Sequence, residues 1–340
     1  MKKVNLMVIL LTLLLCGCKR GNQQFTLQGN VKNLGNDTIF IYSQQGEGKL
    51  DTIIVDKGSF RYTAPIDTLT RYSLLIKNVE IPFFADKAIQ VKVQGDASAL
   101  AQLQVTGGNT NDELNTFNTA VFSLKDSTAI INKADSFIRN HPFSQASIYV
   151  LDKYFVHKEN PDYGVINSLI LSMSGELQDM GQIKELSEIA NKQEKVGIGK
   201  RAPSFNGKNT KGTYISLATF KDQYILINFW ASWCDNCDKE NATLKKIQKR
   251  FKKEKLGMVG VSLDINKKEW LQSIRKDTLS WEQINDFKGW DNSVAKLFGI
   301  ESLPANVIIG PDQNIIAKNL KGQDLINQLE EIFKQKTSTK

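Results

Sequence analysis

The chain has 340 residues and a mass of 38.2 kDa, enough for two or three domains with cores of their own. With 41% hydrophobic and 24% charged residues, it is neither disordered nor collagenous, and four cysteines are too few for a disulfide-stapled scaffold. The net charge of +8 is uneven: residues 21–110 balance, residues 111–195 carry −4 and residues 196–340 carry +8. The cysteines form two close pairs, Cys16/Cys18 and Cys234/Cys237.

Residues 1–18 read MKKVNLMVILLTLLLCGC. Lys2 and Lys3 precede an apolar run, Leu6 to Leu15, that is too short to span a membrane but suits the hydrophobic region of a secretory signal. Leu15-Cys16-Gly17-Cys18 resembles the lipobox of bacterial lipoproteins. That resemblance implies a signal peptide over 1–17 and a diacylglycerol-modified N-terminal Cys18, with residues 18–24 as a short tether to the bilayer. Several acyl chains hold a protein on a membrane almost irreversibly. Lys19 after the lipid cysteine is not the aspartate some bacteria use for inner-membrane retention, so inner and outer membrane both stay open.

Residues 25–108 are strand-like. Phe25, Leu27, Gly29 and Val31 alternate with polar residues, and 38–42 form a second β-rich run. Thr52 to Val55, the turn Asp56-Lys57-Gly58 and Phe60 to Tyr62 predict a hairpin, with further strands at 72–76 and 89–93. A small sandwich or barrel follows, with no catalytic constellation. It resembles the β-rich domain of unknown function that precedes thioredoxin modules in envelope lipoproteins. Over 109–195 the period becomes helical, with Leu114, Phe117, Val121 and then Ile148, Leu151, Phe155 at steps of three and four, and Pro142, Pro161 and Gly181 near helix ends. This reads as a helical connector. Its two histidines, His141 and His157, are too few for a metal site.

From 196 to 340 strands and helices alternate, which makes an α/β sandwich. Residues 224–230 (YILINFW) predict a strand buried on both faces, followed by a helix from about Asp235. Further strands are expected at 258–263, 306–309 and 315–317, with helices at 267–275, 293–297 and 325–333. The basic stripe Lys239 to Lys255 reads as a solvated helix face rather than a nucleic-acid surface, which an exported protein does not need.

Trp233-Cys234-Asp235-Asn236-Cys237 lies where that buried strand gives way to a helix. The free N–H groups and positive dipole end of a helix favour thiolate, so the thiolate of Cys234 can attack a disulfide and Cys237 can resolve the mixed disulfide. FWASWCxxC after an apolar strand resembles the thioredoxin superfamily and, within it, the TlpA/ResA-like envelope oxidoreductases. The resemblance implies that Leu303-Pro304 is the fold's cis-proline pair, whose backbone and Trp233 shape the substrate groove. Cys237, Glu240, Leu244, Ile247 and Phe251 share one helix face, which aims Glu240 at the core beneath the cysteines. There desolvation raises a carboxyl pKa, and Glu240 matches the glutamate the family carries three residues past the second cysteine. Asn228 stands where thioredoxin itself has a buried aspartate, and an amide cannot take up a proton. The resemblance thus makes Cys234, Cys237 and Glu240 catalytic, with no bound cofactor and no metal. It also implies disulfide-containing protein or small-molecule substrates and a membrane-embedded electron donor. Asp-Asn between the cysteines departs from the proline usual at the second position. Asp235 disfavours thiolate, which predicts a reductant-like potential. Two alternatives remain: a thiol peroxidase, although Ile227 and Ala231 replace the proline and threonine of the peroxiredoxin Pro-x-x-x-Thr-x-x-Cys pattern, and a non-enzymatic binding lipoprotein.

Overall fold

The structure, a computed structural model, describes residues 23–43, 50–158 and 160–338. The expected signal peptide, with Cys16, and the expected lipidation position Cys18 lie outside these residues. The chain divides into two compact units, Met1–Tyr149 and Val150–Lys340.

The first unit is a sandwich of two four-stranded sheets. Its strands are β1 (Gln24–Lys32), β2 (Asp37–Ser43), β3 (Leu50–Val55), β4 (Ser59–Pro65), β5 (Thr70–Ile76), β6 (Val79–Ala85), β7 (Gln90–Asp96) and β8 (Gln104–Thr106). The sheet orders are β4-β1-β7-β8 and β3-β2-β5-β6. The alternation read from the sequence is the burial pattern observed. Phe25, Leu27 and Val31 of β1 point into one core with Val91 and Val93, and meet Ile39, Ile41, Leu74 and Phe83 of the facing sheet. Gly29 keeps that alternation because the Phe60 ring occupies the space a side chain would need.

The hairpin expected over 52–62 is corrected. The turn is there: Asp56 and Ser59 exchange backbone hydrogen bonds of 2.9 and 2.8 Å, with Lys57 and Gly58 at φ 47° and 81°. Beyond it the strands part, β3 pairing with β2 and β4 with β1 in the other sheet. The turn is therefore a corner between layers. Ile53, Val55 and Phe60 feed one interior from opposite sides, a pattern that period-two alternation cannot distinguish from a ladder.

Two helices follow in this unit, α1 (Asn109–Phe122) and α2 (Ser127–Asn140). Leu114, Phe117 and Val121 form the buried face of α1, and the Asn111 amide docks it by bonding both the N–H and the C=O of Phe84 at 2.8 and 2.7 Å. Asp126 caps α2, accepting from the N–H groups of Thr128 and Ala129. The division between units falls inside α3 (Gln145–Leu151), which continues as a π-helical turn over Asp152–Val156.

The second unit begins with helices α4 (Tyr163–Ser172), α5 (Gly175–Gln178) and α6 (Gly181–Glu194). A two-stranded ribbon, β9 (Asn206–Lys208) and β10 (Tyr214–Ser216), leads into the main sheet. That sheet holds β11 (Tyr224–Trp230), then helix α7 (Cys237–Arg250), β12 (Leu256–Ser262), helix α8 (Lys267–Lys276) and β13 (Glu282–Ile284). It ends with the short helix α9 (Ser293–Leu297), the antiparallel pair β14 (Ala305–Ile309) and β15 (Ile315–Lys318), and α10 (Gly322–Ser338). The strand order is β13-β12-β11-β14-β15, with β11 parallel to β12 and antiparallel to β14. As its near-continuous apolar run requires, β11 is the central strand. Ile225, Ile227 and Phe229 face one core, while Leu226 and Trp230 face the other, beneath Cys237, Leu244 and Ile247 of α7. The helix after β11 starts two residues later than expected, at Cys237, because Asp235 and Asn236 form the turn into it. Strands β6, β8, β9, β10 and β13 had no signal in the sequence reading; the last four are short edges of three or so residues.

No helix among the described residues is long and apolar enough to cross a membrane.

Candidate functional site

The site lies at the carboxyl end of β11. Trp230 pairs with Ser262 of β12, and Phe229 pairs with Ala305 of β14. This register brings the 231–234 loop, the end of β12 and the residues before β14 to one edge of the sheet, the usual place for a site on such folds. Here Cys234 and Cys237 form a disulfide with Cα atoms 5.4 Å apart. Their accessibilities differ. Cys237, first residue of α7, is 1% exposed, whereas Cys234 is half-buried and touches both cores. Cys237 N–H donates to the Cys234 carbonyl at 3.0 Å, which ties the loop to the helix start. Asn236 gives α7 no side-chain cap.

Leu303-Pro304 is cis and stands directly before β14. Leu303 packs against the same two cores as Cys234. Trp233 is exposed beside Cys234.

Glu240 sits one turn into α7 on the face it shares with Cys237, Leu244 and Ile247, and all four side chains are buried. Its Oε2 accepts a long bond, 3.4 Å, from the N–H of Gly322 at the start of α10; its Oε1 is buried without a partner. Burial pushes the Glu240 carboxyl above the usual carboxylate range, and the Gly322 N–H and the Lys321 charge offset this only in part. A buried carboxyl with an open oxygen can hold or release a proton within the cysteine layer. Asn228 lies on the same face of β11, between Leu226 and Trp230, with its Oδ1 unpaired.

The sequence profile of the AhpC/TSA family matches residues 198–318, and that of DUF4369, a domain of unknown function, matches residues 25–114. Thiol-disulfide oxidoreductase ResA of Bacillus cereus is 29% identical over 147 residues, covering 43% of this chain and 83% of its own. The thioredoxin domain of a thiol-disulfide oxidoreductase from Bacteroides vulgatus is 33% identical, spanning 40% of this chain and 97% of that one, with a TM-score of 0.38. A thiol-disulfide oxidoreductase from Bacteroides fragilis is 43% identical, spanning 39% of this chain and 99% of that one, again with a TM-score of 0.38. The chain belongs to the thiol-disulfide oxidoreductases of the thioredoxin superfamily.

The oxidoreductase thus gathers Cys234, Cys237, Glu240, Trp233, Leu303 and Pro304 in one unit, around one sheet edge. His141 and His157 are not part of it. His141 stacks on Phe137 and bonds its carbonyl at 2.9 Å, and His157 pairs with Asp152 at 3.1 Å. No group of three or more metal-ligating side chains occurs among the described residues. The basic stripe is a helix surface: Lys245 donates to the Asp277 carbonyl and Arg250 pairs with Glu330.

Two features of the site escaped the sequence reading. Asp264, just past β12 and 1% exposed, accepts from Ser232 N–H at 3.0 Å and Ser232 Oγ–H at 2.6 Å, and from Ser262 Oγ–H at 2.7 Å. It clamps the loop that carries Trp233 and Cys234. Trp290 is the other: its ring stands 6.0 Å from that of Trp233, and both are about half exposed. A lone aspartate at a strand end and a tryptophan in a polar stretch look like surface and core residues in sequence. The one available hint was that β11 and β12 are both buried runs, whose ends a parallel sheet brings together.

Proposed function

We propose that this oxidoreductase is a lipid-anchored enzyme of the bacterial envelope that reduces disulfides facing the periplasm through the Cys234/Cys237 dithiol. The observation that carries the reading is the asymmetry of the pair: an accessible Cys234 joined to a sealed Cys237 above a desolvated Glu240. In the reduced enzyme the Cys234 thiolate attacks one sulfur of a substrate disulfide. The substrate's other sulfur leaves as thiolate and takes a proton from solvent, so that a mixed disulfide remains. Glu240, as carboxylate, takes the Cys237 proton, and Cys237 then attacks the Cys234 sulfur. The second substrate sulfur departs and is protonated, and the enzyme is left as the Cys234–Cys237 disulfide. Two electrons have passed to the substrate. In an oxidising compartment they are replaced by a membrane-embedded dithiol donor.

Trp233, Leu303 and Pro304 border the approach to Cys234, and Cys18 carries the lipid. The profile match over 198–318 does not revive the peroxidase alternative, since Ile227 and Ala231 occupy the two positions its cysteine pattern needs.

Insulin reduction and non-reducing electrophoresis test the assignment. Cys234→Ser abolishes activity, whereas Cys237→Ala still attacks and accumulates mixed disulfides whose partners mass spectrometry identifies. Full activity in Cys234→Ser would overturn the mechanism.

A further inference from the structure

Trp233 and Trp290 are 50% and 48% exposed, and their ring centroids stand 6.0 Å apart at 55°. Ile265, 73% exposed, borders the same turn: its Cγ2 lies 3.1 Å from where a side chain on Gly289 would begin. Three large apolar side chains from three separate segments are thus left in water at the edge where Cys234 reacts. Exposed aromatic side chains that become buried on binding dominate binding energy at protein interfaces.

The segments that hold them are fixed. Ser262 and Asp264 form a buried corner from which both arms hang. One arm is Ser232, bonded to the Asp264 carboxylate. The other is the 285–293 segment. Asn285 donates to Ser262 Oγ and to the Asp264 carbonyl at 3.0 and 3.1 Å, and Asn292 donates to the Ser262 carbonyl at 3.3 Å. Asp286 closes that loop on itself, accepting from Asn292 Nδ2 at 2.8 Å and from Ser293 N–H at 2.9 Å. Asn285 and Asn292 are 5% and 1% exposed. A buried polar network with its partners in place specifies one geometry. Here it holds two exposed tryptophans in register, so little side-chain ordering remains to be done when something binds.

We propose that Trp290 is a specificity-determining residue of the exchange site. Together with Trp233 it receives an aromatic or bulky aliphatic side chain next to the half-cystine of an extended polypeptide, which makes such polypeptides, rather than small disulfides, the preferred substrates. The proposal rests on the reading of Cys234 as the attacking sulfur. Trp233 precedes that sulfur in the chain, so a side chain seated on the tryptophan pair belongs to a residue one or two positions from the attacked cystine, at about 3.3 Å per extended residue. Oxidised glutathione has no such group. The charges bordering Trp290 are Lys288 on one side and Asp291, paired with Lys296, on the other, so the rim favours neither sign strongly. Apolar contact is what selects.

The test uses the full chain, reduced, with three probes: oxidised glutathione and two synthetic disulfide-looped peptides that differ only in carrying tryptophan or serine beside one half-cystine. The wild-type enzyme favours the tryptophan peptide over the serine peptide by roughly tenfold in kcat/KM. In Trp290→Ala that ratio falls at least fivefold, through KM rather than kcat, and Trp290→Phe restores most of it. An unchanged ratio in Trp290→Ala would overturn the proposal. So would an equal loss on all three probes, which is what a purely structural tryptophan gives. If the wild-type enzyme reduces no probe, the exchange reading itself falls and takes the proposal with it, a result distinct from reduction without selectivity.

Discussion

Asp264→Ala removes the acceptor of three donors at once: Ser232 N–H, Ser232 Oγ–H and Ser262 Oγ–H. Hydrogen bonds to a charged group contribute about 1.5–3 kcal/mol each, but deleting the carboxylate also relieves its own desolvation, which costs several kcal/mol. The balance is a loss of about 3 kcal/mol, dominated by the donors left unpaired. Asp264→Asn keeps the shape but turns an amide N–H toward hydroxyl and backbone donors, and costs about 1–2 kcal/mol. All five tryptophans, at 230, 233, 270, 281 and 290, lie in the second unit, so urea unfolding followed by tryptophan fluorescence reports that unit alone. With a slope near 2 kcal/mol/M, Asp264→Ala moves the midpoint down by about 1.5 M. A double-mutant cycle with Ser232→Ala gives a coupling of about 1–2 kcal/mol. A shift below about 0.3 M with no coupling would refute the claim that this carboxylate clamps the loop.

Glu240 supplies a pH signature. Burial raises its folded pKa, so the folded state binds its proton more tightly than the unfolded chain does. The stability this brings is full below the unfolded value of about 4.3 and is lost as pH rises through the folded value. Glu240→Gln therefore gains stability relative to wild type as pH rises above the unfolded value; a pH-independent difference would contradict the assignment. The same variant slows resolution of the mixed disulfide more than initial attack, as stopped-flow quenching would show. Equilibration with glutathione buffers places the Cys234/Cys237 potential nearer about −270 mV than about −120 mV, because Asp235 disfavours thiolate; a value above roughly −170 mV would exclude this. Cys18→Ala abolishes incorporation of labelled palmitate and moves the protein to the soluble fraction; retention of both in the variant would remove the lipid anchor.

What the sequence disclosed and what it hid divide along range of interaction. Alternation in 25–31, the buried run 224–230 and the one-turn spacing of Cys237 and Glu240 are local patterns, and each appears in the structure at those positions. The 52–62 corner was hidden because Ile53, Val55 and Phe60 would be buried equally by a ladder or by a crossing between sheets. Strand β13 is three residues long and takes its identity from pairing with β12. Asp264 and Trp290 were hidden for a related reason: their meaning comes from Ser232 and Trp233, 32 and 57 positions away in the chain. Glycine and proline punctuate a chain locally, but no local signal says which polar residue another strand's end will need.

Gln193, near the end of α6, has a bearing on how the catalytic module can be excised. Its amide donates to the Gly299 carbonyl at 2.7 Å and to Glu301 at 3.2 Å, in the segment running into Leu303-Pro304, and Val196 enters the core beside Phe229. The family profile begins at 198 and the change of sequence pattern falls near 196, yet a fragment cut at either point would lose this staple and leave Gly299 and Glu301 without their donor. A fragment that retains α6 keeps the Gln193 bonds, and with them the backing of the segment that runs into Leu303-Pro304.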